Sequence, residues 1–293
     1  MSFIAYLIKG ISLGSVYSII ALGYTMVYGI AKMLNFAHGD VIMIGGYVIF
    51  VVMSVMGINP VLAVLASIIV CTALGVTIER VAYKPLRRAS SLAVLITAIG
   101  VSYFLQNVAL LVFGAGTKSF TSLIKLEAIK LAHGKLTIPG EAIVTIPVCV
   151  VIMIVLTVFI KKSKTGRAML AVSEDKDAAV LMGVNVNQTI AITFAIGSAL
   201  AAIASVLMFS SYPSLSATSG SMPGIKAFTA AVFGGIGSIP GALIGGILLG
   251  IIQILGSAYI SSQLADAIVF LILILVLLIR PTGILGKKIQ EKV

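Results

Sequence analysis

Tryptophan is absent from this chain of 293 residues, only two cysteines and two histidines are present, and charged residues make up 10% of it. Each scarcity excludes something. An ordinary soluble domain carries about 25% charged residues, so a water-exposed globule of this length would be left without the charge that solvates it. Cys71 and Cys149 lie far apart, each inside an apolar run, and read as packing residues rather than as a disulfide or a metal pair. With His38 and His133 as the histidines, neither a metal-binding cluster nor a Ser/His/Asp set is expected. A phosphate loop is missing too: Gly114 to Ser119 and Gly134-Lys135-Leu136 lack the Gly-Lys-Ser/Thr ending. In the run Gly234 to Gly241, Pro240 stands where a dinucleotide fingerprint needs glycine. The reading is a chain that is not an enzyme and holds no cofactor of its own.

What the chain has in abundance is apolar surface, with 60% hydrophobic residues and a mean hydropathy of +1.19. A helix needs about 20 apolar residues to cross a bilayer, and the apolar runs supply roughly eight crossings. The expected fold is an all-α polytopic membrane protein of a single domain, residues 1–293. Spans are expected near 10–30, 40–56, 60–78, 93–113, 143–160, 190–210 and 264–279, with a glycine-rich stretch at 225–258. The N-terminus lacks the basic region and small-residue cleavage site of a signal peptide, so the first span is expected to stay.

The net charge of +11 sits in short clusters between these runs. That pattern fits membrane-face anchoring and not a nucleic-acid groove. Arg80, Lys84, Arg87 and Arg88, then Lys161, Lys162, Lys164 and Arg167, then Lys287, Lys288 and Lys292 all belong in the cytoplasm by the positive-inside tendency. The loop at 114–142, with Lys118, Lys125, Lys130 and Lys135, must then lie outside, and its Leu131 to Pro139 part reads as a short hairpin. A single crossing at 225–258 would put the basic tail on the wrong side. The conflict disappears if this stretch is a broken pair: a short segment from Ile225 to Phe233, an interruption at Gly234 to Gly241, and a full helix from Ala242. Interrupted helices are tolerated where they are buried in protein or line a cavity. A similar interruption, Asn35 to Asp40, precedes the helix with Gly45 and Gly46 and suggests an internal repeat.

Polar residues inside apolar segments carry the remaining information. Asn35, His38 and Asp40 either end at the interface or form a hydrogen-bonded knot beside a translocation path. Gln106, Asn107 and Gln253 are either interhelical glue or path lining. Gly10 with Gly14, and Gly237, Gly241, Gly245, Gly246 and Gly250, form spacings that bring helices close together or line a narrow pore. Asp266 is expected to be solvated outside, and the sequon at Asn187 to face the cytoplasm unmodified. In the cytoplasmic loop 161–189, Ser173 is a candidate N-cap, with Glu174 and Asp175 in the first turn. Ala178, Leu181 and Met182 then share one face, and Gly183 ends the helix. That face lies on lipid headgroups or docks on a partner.

Ile20 to Gly29 leading into Asn35 to Asp40, Ser173 through Val184, Lys226-Ala227-Phe228 through Gly241, and Leu278 to Gly283 together resemble the membrane permeases of branched-chain amino acid ABC importers. The likeness is strongest to the H-type permease of leucine/isoleucine/valine systems. It implies a bacterial inner-membrane location, two ATP-binding cassette subunits that bind the ATP, a second related permease, and a periplasmic amino-acid-binding protein. It also implies that 173–183 is the segment that meets an ATPase. Urea and short-amide permeases share these signatures, and a self-sufficient secondary transporter or channel matches the hydropathy equally well.

Overall fold

The computed structural model describes residues 3–87, 89–119, 122–124, 126–131 and 136–286. Arg88, Lys125, His133, Gly134, Lys135, Lys287, Lys288 and Lys292, which entered the orientation and motif arguments, lie outside the described residues.

The chain is a helical bundle built from α1 (Phe3–Ala31), α2 (His38–Phe50), α3 (Pro60–Ile78), α4 (Ser91–Phe113), α5 (Gly140–Lys162), α6 (Lys164–Glu174), α7 (Lys176–Leu181), α8 (Val186–Ser211), α9 (Ser221–Gly234), α10 (Ile239–Tyr259) and α11 (Ala265–Ile279). A π turn, Val51–Val55, prolongs α2, and the end of α3 loosens into a π turn and a 3₁₀ turn as far as Leu86. Among the described residues seven helices are long and apolar enough to cross a membrane, and α11 adds a shorter apolar one. The boundaries follow local chemistry. Asn59 and Pro60 start α3, the Ser90 side chain caps α4, and Gly114 at φ +79° stops α4. The described residues also form two small antiparallel pairs: β1 (Lys118–Ser119) with β4 (Ser214–Leu215), and β2 (Ile129–Leu131) with β3 (Leu136–Ile138). The second pair is the hairpin expected there.

The two ends of the bundle sort as the charge argument requires. At one end, Arg87 bonds the Asn187 side chain at the start of α8, and Lys176 of α7 donates to the Ala31 carbonyl at the end of α1. The described tail lies there as well, because Ile284 and Leu285 donate to the carbonyls of Phe233 and Gly234. At the other end, Tyr6 meets Tyr259 and β1 meets β4. The positive-inside tendency assigns the basic end to the cytoplasm.

The interruption expected at Gly234 to Gly241 is real but misplaced. It is a turn between α9 and α10 at the cytoplasmic end, where Gly235 (φ +107°) and Gly237 (φ +89°) reverse the chain beside Gly29. Irregular chain also leads into α2 at 32–37, close to the break expected at Asn35 to Asp40, and into α9 at 212–220, where Tyr212, Pro213, Ser214 and Thr218 are exposed while Leu215 and Gly220 are buried. The His38 ring fills the space beside Gly23, eight residues before the end of α1, so α2 begins about 12 Å inside the bundle at 1.5 Å per residue. From the other end, 212–220 descends along α2 from Gly46, which contacts Leu215, to Gly39, which meets Gly220. Serines supply the hydrogen bonds this segment needs, as in Ser219 Oγ accepting from the Ser216 amide.

Glycine spacing does set the packing. A Cβ at Gly14 would lie 2.6 Å from Ile247 Cα, and one at Gly250 would lie 2.2 Å from Gly14 N, so α1 and α10 run in backbone contact. Gly241 and Gly245 face α9 instead, against Gly234 and Ala230. Cys71 and Cys149 are buried free thiols.

Candidate translocation path and coupling segment

Two helices, α2 and α9, begin in the interior, and their first turns touch through Gly39, Gly220 and Gly224. Beside that contact lies Asp40, 1% exposed. A buried carboxylate is costly unless hydrogen-bonded, and Gln106 of α4 donates from Nε2 to its Oδ1 at 2.9 Å. The same nitrogen lies 3.1 Å from Ser102 Oγ and 3.1 Å from Ser221 Oγ, the first residue of α9. One amide therefore ties α2, α4 and α9 together.

Asn35, His38 and Asp40 do not form a knot with one another through their side chains. Each binds a different helix. Asn35 Oδ1 accepts from the Tyr83 hydroxyl at 3.0 Å, and His38 packs edge-on to Tyr24 with ring centroids 4.8 Å apart. The separation follows from backbone geometry, since Asn35 stands before α2 while His38 and Asp40 project from different sides of its first turn. His38 Nε2 is buried with no hydrogen-bond partner among the described residues. Asn107 is exposed and turns back to its own helix, donating to the Tyr103 carbonyl at 2.7 Å, so it is neither glue nor lining within this chain.

A second polar chain runs toward the outer end. The Tyr17 hydroxyl donates to Gln253 Oε1 at 2.9 Å, and Gln253 Nε2 approaches Asp266 Oδ1 at 3.4 Å. Lys226 Nζ of α9 pairs with Asp266 at 2.6 Å. Asp266 is thus not simply solvated; it is the counter-ion of a buried lysine. Lys226, 7% exposed, escaped the sequence reading because the apolar run around it concealed a single cation. Its signal was present: an intramembrane cation calls for an anion, and Asp266 is at the start of the next-but-one helix. Glu79, 1% exposed, paired with Arg87, is a comparable omission at the cytoplasmic end. Among the described residues no three His, Cys, Asp or Glu side chains come together as a metal site.

The cytoplasmic segment 164–183 is two helices rather than one. Ser163 caps α6, whose corner needs Gly166 because a Cβ there would lie 2.4 Å from Ile160 Cα. Ser173 lies within α6, its hydroxyl donating back to the Leu170 carbonyl, and Glu174 closes that helix. The N-cap of α7 is Asp175, whose Oδ1 accepts from the amides of Asp177 and Ala178 at 2.9 and 3.0 Å. Ser173 lost this role because Ser163 starts the helical register ten residues earlier. The expected face survives. Ala178, Leu181 and Met182 point away from the bundle, with Leu181 and Met182 exposed by 87% and 83%. Ala179 packs inward, and Gly183 terminates the helix at φ +82°. Lys176 anchors this element to the α1 terminus, where its ammonium meets an orphan carbonyl. Partial burial, then the nearby Arg87 and Lys32 cations, lower its pKa from the ordinary lysine value.

Residues 6–277 match the family described as branched-chain amino acid transport system / permease component. The chain belongs to that family. It is 46% identical to the high-affinity branched-chain amino acid transport system permease protein LivH of Escherichia coli (strain K12), over 99% of this chain and 98% of that one. It is equally 46% identical to the permease protein BraD of Pseudomonas aeruginosa, with the same coverage. The probable branched-chain amino acid transport permease protein LivH of Methanocaldococcus jannaschii is 30% identical over 92% of this chain and 88% of its own length. Membership makes the chain a multi-pass permease of the inner membrane and not an enzyme.

Proposed function

We propose that this chain forms one half of a pore through which leucine, isoleucine and valine enter the cell, driven by ATP hydrolysed on partner subunits. The observation that carries the substrate class is the 46% identity, essentially end to end, to permeases named for branched-chain amino acid transport. Urea and short amides, and a self-sufficient carrier or channel, have no comparable support. The proposed assembly contains two ATP-binding cassette subunits, a second related permease and a periplasmic protein that delivers the amino acid.

In this reading the ATPase meets Glu174, Asp175, Ala178, Leu181, Met182 and Gly183. An apolar face of about two turns, exposed to water, is stabilised by burial in a groove, and its anchor to α1 through Lys176 gives the groove's movement a route into the bundle. The path passes the interior contact of α2 and α9, with Asn35, His38, Asp40 and Gln106 on one side and Gln253 on the other. Gly237, Pro240 and Gly241 shape the inner turn on which α9 and α10 pivot.

The test is ATP-dependent uptake by the reconstituted importer, with radiolabelled leucine and urea offered separately. The reading predicts saturable leucine uptake that unlabelled isoleucine and valine compete away. Urea uptake without leucine uptake would contradict the substrate class, and leucine uptake without ATP would contradict the drive.

A further inference from the structure

At the outer end, α1, α5, α8, α9 and α10 line a partly open cavity of about 330 Å³, within the usual size range for small-molecule sites. Most of its wall is apolar, including Leu13, Val16 and Met208. Two opposite charges break that wall: Lys9 from α1 and Glu141 from the first turn of α5. Among the described residues neither side chain has a hydrogen-bond or ion-pair partner, and they do not pair with each other. A half-exposed cation and a half-exposed anion facing one largely apolar cavity, neither with a partner among the described residues, match a molecule that carries both charges and an apolar side chain.

We propose that this cavity is the permease's own outward-facing site for a free zwitterionic amino acid. Lys9 receives the carboxylate, Glu141 receives the ammonium, and the apolar wall takes the branched side chain. The assignment rests on the amino-acid transport reading above and adds the residues that discriminate the ligand. The cavity floor also has a link to the moving parts. Tyr17 lines it and donates to Gln253, which reaches Asp266 and so Lys226 of α9, while Pro223 of α9 forms part of the wall. Occupancy therefore bears directly on the position of the helix that starts at the interior contact.

The experiment uses the complete importer in membrane vesicles with the outer face accessible, carrying Ser12→Cys as a reporter with Cys71 and Cys149 replaced by alanine. The rate of its reaction with a membrane-impermeant maleimide is measured against added leucine, 4-methylpentanoate, 3-methylbutylamine and urea. Leucine slows the reaction, and the two analogues, each lacking one charge, need roughly tenfold or higher concentrations, the scale of one charge-assisted hydrogen bond. Lys9→Gln and Glu141→Gln each raise the protective leucine concentration by a similar factor, and urea has no effect. If Ser12→Cys fails to assemble, Ser211→Cys reports from the facing wall. The site is overturned if leucine gives no protection while the unsubstituted importer takes up leucine. It is equally overturned if protection survives both charge removals or is the same for the analogues. Absence of leucine uptake by the unsubstituted importer is a different result: it contradicts the transport reading itself.

Discussion

At Gly14 a single added carbon has no room, because a Cβ would press on Ile247 Cα at 2.6 Å and on the Gly246 carbonyl at 2.8 Å. Both obstacles are backbone, so the neighbouring helix itself must move. Gly14→Leu is therefore expected to destabilise the α1 and α10 pair by at least the roughly 1–3 kcal/mol of ordinary overpacking. Membrane insertion should persist while the thermal stability of the purified protein and its uptake fall; wild-type stability would show that the helices are not in contact. Lys226 gives a second residue-scale prediction. Lys226→Met leaves Asp266 without its cation, but Asp266 is 38% exposed, so the loss falls short of the roughly 3–5 kcal/mol seen when a fully buried pair is broken. The double change Lys226→Met with Asp266→Leu should recover part of the thermal stability lost by the single one, and failure to recover would mean the pair is not coupled. The glycine contacts were legible because GxxxG spacing survives any change of helix boundary. Lys226 was not, since hydropathy averages over a span and one cation barely alters the mean.

At the scale of elements, α7 depends on its cap. It has six residues, too few to be stable alone in water, and Asp175 satisfies two of its free amides. Asp175→Ala should cost about 1 kcal/mol of local stability and show as faster amide exchange over 176–182 with the spans unaffected. Unchanged exchange would place the stabilisation of α7 elsewhere. The amphipathic face of this element was readable from the i, i+3, i+4 spacing of Ala178, Leu181 and Met182. The cap was not, because Ser173, Glu174 and Asp175 are all acceptable N-terminal residues and only the length of α6 decides between them. The same limit explains the misplaced interruption. Gly234 to Gly241 has the composition of a break, whereas nothing in the composition of 212–220 shows that its last residue, Gly220, meets Gly39 inside the bundle.

For the whole molecule, the packing gathers at one end the segments that the positive-inside tendency assigns to one side. Arg87, the 163–185 segment and the described tail gather at one end, while Tyr6, Tyr259 and the β1–β4 pair share the other. Ser261→Cys, with Cys71 and Cys149 replaced, should react with an impermeant reagent only from outside. The coupling of that architecture to its energy source is the central claim. It is tested most directly by Leu181→Asp in the complete importer, which sets an unpaired charge on the exposed face of α7 and leaves every span unchanged. The account predicts normal insertion with either loss of ATPase copurification or ATP hydrolysis no longer linked to leucine uptake. A Leu181→Asp importer that retains both its ATPase and wild-type uptake would contradict it.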